Sequence, residues 1–187
     1  NMYPPIMMNF NIITSICRRG GIGYKGCLPW TNSNAYTMLF SRLTRGNGNN
    51  AVLMGMNTYD NLMVTYCKPL GGRFNLVLSK ERYDNIYSPY GNVEYFTNID
   101  SVVSHCTKNK YDEVWIIGGE KVFSHFLNQS KIPIKNIYFN YVNNDHICDA
   151  YMPMRFNEND KFETLDTQIL NNVEQSIIKF DYNRCPV

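Results

Sequence analysis

Acidic side chains are absent from the first third of this chain: of its 187 residues, the earliest carboxylate is Asp60. The same stretch carries Arg18, Arg19, Lys25, Arg42 and Arg45, while the whole chain has a formal charge of only +2. So small an overall charge gives no ground for nucleic-acid binding. The local excess either favours small anionic ligands or is a solvated basic face, and composition admits both. Metal-site spacing is also missing. Cys17, Cys27, Cys67, Cys106, Cys148 and Cys185 form no Cys-x-x-Cys pair, and no His lies at a spacing suited to zinc. No metal is expected, and the thiols read as reduced residues of a cytoplasmic protein, not as a disulfide framework. No apolar run is long enough to cross a bilayer, and the N-terminus lacks a basic-then-apolar signal layout. No membrane partner is expected, and no repeat, heptad run or low-complexity linker divides the chain.

What remains is an ordinary globular composition, 44% hydrophobic and 14% aromatic. It is sufficient for one domain over 1–187, with 1–8 and 185–187 as peripheral tails. Apolar runs rich in β-branched and aromatic residues predict strands over Phe10–Cys17, Ala51–Met54, Phe74–Leu78, Val93–Phe96, Val114–Ile117, Ile137–Val142 and Ser176–Tyr182. Helical spacing predicts helices over Asn34–Leu43, Ile99–Cys106 and Glu120–Leu127, the first capped by Asn32 or Ser33. Alternating strands and helices indicate an α/β fold with a mostly parallel sheet. The last two strands have no helix between them and indicate an antiparallel edge.

Three turns, each at the C-terminal end of a predicted strand, could hold anions. Gly118-Gly119 precedes a helix starting near Glu120, where bare backbone N–H groups and the helix dipole favour phosphate. A double glycine at a strand–helix junction is, taken alone, more often a simple tight turn. Met54-Gly55-Met56-Asn57-Thr58-Tyr59 repeats the pattern, with Thr58 placed to cap a helix and touch phosphate. Ser79-Lys80 after Leu78 supplies a hydroxyl and a cation. Together they suggest a dinucleotide lying across the strand ends, although the three-glycine fingerprint of an ordinary dinucleotide-binding domain is absent.

The order of the motifs is more specific than any one of them. Gly21-Ile22-Gly23-Tyr24-Lys25-Gly26-Cys27-Leu28-Pro29-Trp30 is followed by Met54-Gly55 through Thr58-Tyr59. Gly72-Arg73-Phe74-Asn75-Leu76-Val77-Leu78-Ser79 and Trp115-Ile116-Ile117-Gly118-Gly119 come next, and the aromatic strand Ile178-Lys179-Phe180-Asp181-Tyr182 closes the series. From Met8 to Arg184 the chain resembles the dihydrofolate reductase family. The resemblance implies an eight-stranded, mostly parallel sheet with an antiparallel C-terminal edge and flanking helices, binding NADPH and a folate in one cleft. It implies that Arg73 holds the α-carboxylate of the folate's glutamate tail, and that Phe40 and Leu62 pack on the pterin and benzoyl groups. Ile13 and Ile117 would present carbonyls to the pterin amine, with Trp30 beside an active-site water. For the cofactor it implies Ser15, Ile22, Gly26, Cys27, Gly55, Asn57, Thr58, Leu78, Ser79, Lys80, Gly118, Gly119, Glu120, Lys121, Val122 and Phe123.

The departures from the family's pattern cluster around the hydride-transfer centre. Tyr36 stands where the family carries the Asp or Glu that orients the pterin and aids protonation of its N5. Asn140 replaces the Thr that bonds that acid, and its carbonyl could accept from the pterin amine. Ser15 replaces an Ala, Phe123 a Tyr, and Met56 the usual Arg or Lys facing the cofactor's 2′-phosphate. Losing that last cation would cost roughly 1–2 kcal/mol of binding, leaving the phosphate to Lys80 and Lys121. Tyr36, Asn140 and Trp30 are therefore the nominated catalytic positions, with Ser15, Tyr36 and Asn140 also lining the substrate site. Two readings follow. The chain is a weakened NADPH-dependent dihydrofolate reductase, or it is an inactive folate- or nucleotide-binding module of the same fold, partnering a thymidylate synthase domain. Its first residue is not Met and it stops abruptly at Val187, which suits a piece of a longer polypeptide.

Overall fold

A computed structural model describes residues 8–80, 88–154 and 160–184. The expected tails lie outside the described residues except for Met8, which packs against the core. In chain order the elements are β1 (Asn9–Cys17), β2 (Gly21–Gly23), α1 (Asn34–Arg45), β3 (Ala51–Gly55), α2 (Met56–Tyr66), β4 (Phe74–Leu78) and β5 (Val93–Phe96). They continue with α3 (Ile99–Asn109), β6 (Glu113–Gly118), α4 (Glu120–Asn128), β7 (Ile134–Val142), β8 (Ala150–Tyr151), β9 (Phe162–Leu170) and β10 (Val173–Arg184). Among the described residues eight strands form one sheet in the order β5-β4-β3-β6-β1-β7-β10-β9. It is parallel from β5 to β7, with β10 added antiparallel as the sequence predicts and β9 antiparallel beyond it.

Strand parity divides the core into two layers. Phe10, Ile12 and Ile16 of β1 join Val114 and Ile116 of β6 and Phe139 of β7 beneath α3 and α4. Ile13, Trp115, Tyr138 and Ile177 face the other way, with Tyr36 of α1 and Tyr59 of α2. The same parity and register put Ser15 beside Asn140 and Asn140 beside Ile177. Ser15, Asn140 and Gln175 thus share the face that carries α1.

Three elements, β2, β8 and β9, escape the sequence reading, and a fourth, α2, starts earlier than the cap expected at Thr58. Helix α2 follows β3 with no loop, its N-cap is Gly55 and not Thr58, and its C-cap Cys67 sits at φ 58 without the usual glycine cue. Strand β9 is exposed along nearly its whole length, so it lacks the apolar alternation of a half-buried strand. It joins β10 through Asn171 and Asn172 at φ 50 and 63, the conformation of a tight hairpin turn. Strands β2 and β8 form a separate small ribbon.

Gly21 of β2 is packed against Cys148, whose sulfur lies 3.9 Å from that of Cys17. A Cβ added at Gly21 would fall onto Cys148 Sγ, 2.8 Å from Cys148 Cβ and 3.0 Å from Cys17 Sγ. Gly21→Ala is therefore expected to destabilise the protein by about 1–3 kcal/mol, read as a lowered denaturation midpoint. Adding Cys148→Ala removes the nearest atom and should restore part of the loss. A Gly21→Ala protein as stable as the parent would show that this ribbon has slack.

Candidate active site

Between the α1–α2 face of the sheet and the 20–28 segment lies a cleft of about 1570 Å³. One end is set by α1 and the Gly71–Arg73 turn. Ile13, Ser15, Tyr36, Phe40, Leu62, Arg73 and Ile117 line this half. The other half is made from Gly55, Asn57 and Thr58, then Leu78, Ser79 and Lys80, then Gly118 to Phe123. Ile22, Gly26 and Cys27 reach in from the 20–28 segment. That segment is tied down by β2–β8 pairing, by Asp149 N–H donating to Gly23 O at 3.0 Å, and by Lys25 N–H donating to Asp149 Oδ2 at 3.1 Å.

The helix start fixes Tyr36. Of the two candidate caps it is Ser33 that accepts from Tyr36 N–H, at 3.2 Å, while Ser33 N–H donates to Gln175 Oε1 at 2.8 Å. The Tyr36 ring is 4% exposed and tilts against Phe40 at 6.2 Å. Burial pushes its pKa up, so the phenol stays neutral at every pH at which the protein would work.

Two of the three nominated catalytic residues, Trp30 and Asn140, stand behind the wall of the cleft. Asn140 is fully buried, and its Nδ2 donates to Gln175 Oε1 at 2.8 Å, Asn32 Oδ1 at 3.2 Å and Ser15 Oγ at 3.3 Å. Its Oδ1 is buried without a partner among the described residues. Parity places Asn140 on the correct face, but Ser15 and Asn32 cover it, so the expected direct contact with a ligand is not what this geometry offers. Trp30 Nε1 donates to Ser15 Oγ at 2.9 Å and to Asn32 Oδ1 at 3.2 Å, which occupies it with protein groups. Asn32 and Gln175 are the members the sequence reading missed. Gln175 is 3% exposed and bonds Thr31 O at 2.8 Å. Its one signal is parity with Ile177, a polar residue at an inward position of the last strand.

Arg73 is 6% exposed. Nε donates to Gly71 O at 2.8 Å and Nη1 to Thr44 Oγ1 at 2.9 Å, with no carboxylate partner among the described residues. Burial, with the Arg45 guanidinium close by, pushes its pKa down to about 10. A buried cation held by neutral acceptors is suited to an anionic ligand. At the opposite end Gly118 adopts φ 132, the Gly118–Gly119 bond is cis, and Gly119 caps α4 with no side-chain hydrogen bond. The first-turn N–H groups of α4 are thus left for a ligand. Thr58 Oγ1 faces these glycines, 3.5 Å from where a Cβ on Gly118 would lie. Lys80 and Lys121 line the same half, and Met56 begins α2 there without a charge. Among the described residues no group of three or more His, Cys, Asp or Glu could hold a metal ion. Among those residues, too, no helix is long and apolar enough to cross a membrane.

Comparison with known proteins agrees with this architecture. The chain is 28% identical to dihydrofolate reductase of Drosophila melanogaster over 181 residues, covering 94% of this chain and 96% of that protein. It is 29% identical to dihydrofolate reductase of Aedes albopictus over 155 residues, 79% and 80% of the two chains. A 105-residue stretch is 32% identical to a bifunctional dihydrofolate reductase-thymidylate synthase of Plasmodium chabaudi, covering 56% of this chain and 18% of that protein. The family model for dihydrofolate reductase matches residues 9–185, and with that match the chain belongs to the dihydrofolate reductase family.

Proposed function

We propose that this chain reduces dihydrofolate to tetrahydrofolate with NADPH, in the cytoplasm, and that its chemical step is slow. The observation that carries the proposal is one cleft with an anion-seeking group at each end: the guanidinium of Arg73, which has no carboxylate partner among the described residues, and the α4 terminus beside Gly118-Gly119, which has no side-chain cap. The donor set fits a dinucleotide phosphate, with backbone N–H groups, the Thr58 hydroxyl and the lysines Lys80 and Lys121. NADPH bound there supplies the hydride. Arg73 binds the glutamate tail, Phe40 and Leu62 sandwich the ring system, and Tyr36 closes the floor as a neutral donor or acceptor.

The slow step follows from what Tyr36 cannot do. A positioned acid or base contributes about 10²–10⁴-fold, and a phenol with a raised pKa neither ionises to orient the pterin amine nor releases a proton. The proton at N5 must then come from water. The test is NADPH oxidation with dihydrofolate, followed by absorbance from acidic to alkaline pH. The rate should climb steadily as pH falls, tracking protonation of the substrate in solution, with no second limb from the enzyme. Folate and NADPH binding without turnover at any pH would favour the other reading, an inactive module associated with, or fused to, a thymidylate synthase domain. That reading draws on one feature of the cleft: among the described residues its lining carboxylates, Asp60, Glu120 and Asp149, belong to α2, α4 and the segment before β8, and none to the Tyr36 floor.

A further inference from the structure

The Ser15 hydroxyl is held in an unusual hydrogen-bonding state. It lies on the cleft wall and is 4% exposed. Trp30 Nε1 donates to its oxygen at 2.9 Å and Asn140 Nδ2 at 3.3 Å. A serine oxygen has two acceptor sites and one proton; the Trp30 N–H takes one site, and Asn140, whose two N–H groups are divided among Gln175, Asn32 and Ser15, makes a longer contact with the other. Only the proton remains to be placed. The protein's own acceptor for it is the backbone carbonyl of Asn140 at 3.4 Å, near the outer limit of a hydrogen bond. A better acceptor arriving in the cleft would take the proton readily, and two donors on the oxygen strengthen the O–H as a donor.

We infer that Ser15 is the substrate-directed hydrogen-bond donor of this site: Trp30 and Asn140 act as donors toward its oxygen and so leave its proton for N5 or N8 of the bound heterocycle. The inference deepens the dihydrofolate reading and rests on it. Trp30, Asn140 and, through Asn140, Gln175 are positioning residues, because they act by orienting Ser15 and do not touch the ligand. No net proton leaves Ser15. The bond polarises the acceptor, and a proton added to the ring still comes from solvent.

The variant Ser15→Ala tests this without orphaning its neighbours. Trp30 Nε1 keeps Asn32 Oδ1 at 3.2 Å, and Asn140 Nδ2 keeps Gln175 Oε1 at 2.8 Å. Binding of folate, 5-deazafolate and 8-deazafolate to both proteins is measured by quenching of tryptophan fluorescence, with the denaturation midpoint as the control for integrity. Ser15→Ala should weaken folate about tenfold, as expected for one buried hydrogen bond. The denaturation midpoint should stay unchanged, since the neighbours of Ser15 keep other partners. One of the two deaza analogues, the one lacking the accepting nitrogen, should bind both proteins equally. Unchanged folate affinity in Ser15→Ala would overturn the inference, as would an equal loss for folate and both analogues, which marks a packing effect. If the parent chain binds NADPH but no folate, the substrate reading itself fails and takes this inference with it. That outcome is distinct, because it appears before any substitution is made.

Discussion

Replacing Tyr36 with Glu, together with Asn140→Thr, is expected to raise turnover of dihydrofolate by about 100-fold or more. The backbone at position 36 is held by the Ser33 cap, which is itself held by Gln175, so a shorter side chain at 36 inherits a fixed starting point on the wall of the cleft. A carboxyl group there would be largely desolvated, which raises its pKa toward the pH at which it can exchange a proton usefully. Asn140→Thr supplies the hydroxyl partner, while Trp30 and Ser15 keep each other. The exchange has a cost in stability. Tyr36 packs into the core layer with Val52, Tyr59 and Trp115, and truncating a buried aromatic typically costs about 3–5 kcal/mol. Activity must therefore be read on protein shown to be folded by its denaturation midpoint and by NADPH binding. The pH profile carries the sharper signal. The parent rate should fall monotonically with rising pH, whereas the variant should hold a plateau up to the pKa of the new carboxyl group. A folded double variant that binds both ligands yet gains no turnover would show that the missing acid is not what slows the reaction.

How much of this was legible in the sequence depended on the kind of signal. The parallel strands β1, β3, β4, β6 and β7 are buried on both faces and read as near-continuous apolar runs, so their positions were plain. The turns after β3, β4 and β6 are marked by Gly55, by Ser79-Lys80 and by Gly118-Gly119, and the structure brings all three to one cleft. Strand β9 gave no such signal because almost nothing in it is buried. The side-chain hydrogen bonds were illegible for a different reason. Ser15, Trp30 with Asn32, Asn140 and Gln175 come from four places in the chain, and strand register together with the path of the loop before α1 decides which polar group meets which. Asn140 shows the limit of carrying a role over by position. The strand and the face were right, but an amide longer than the hydroxyl it replaces found partners behind the cleft wall and not within the cleft. Asn32, named only as a possible cap, was instead the acceptor that holds Trp30 and Asn140 together.

Arg73→Gln should separate ligand binding from stability more sharply than any other change. Its guanidinium has a folded-state pKa lowered to about 10, which means that the folded protein holds this proton less tightly than the unfolded chain does. For a base, that sign is destabilising. The penalty is fully present at neutral pH, and it is relieved only as pH rises from about 10 toward the ordinary arginine value. A carboxylate ligand offsets the penalty directly, by pairing with a cation that the described residues leave unpaired. Removing the charge should consequently leave neutral-pH stability unchanged or slightly higher, since Gln can still donate to one of the two neutral acceptors, Gly71 O and Thr44 Oγ1. Folate affinity should fall about 100-fold, or roughly 3 kcal/mol, as expected for a charge-assisted bidentate contact. A pterin lacking the glutamate tail should bind the parent and Arg73→Gln equally. Arg73→Lys should recover only part of the loss, because a point charge cannot reproduce the planar fork. The contrast between the two ligands is decisive. Equal losses for folate and for the tail-less pterin would mean that Arg73 shapes the cleft through Thr44 and the Gly71 turn, and that the anion it awaits is not a folate carboxylate.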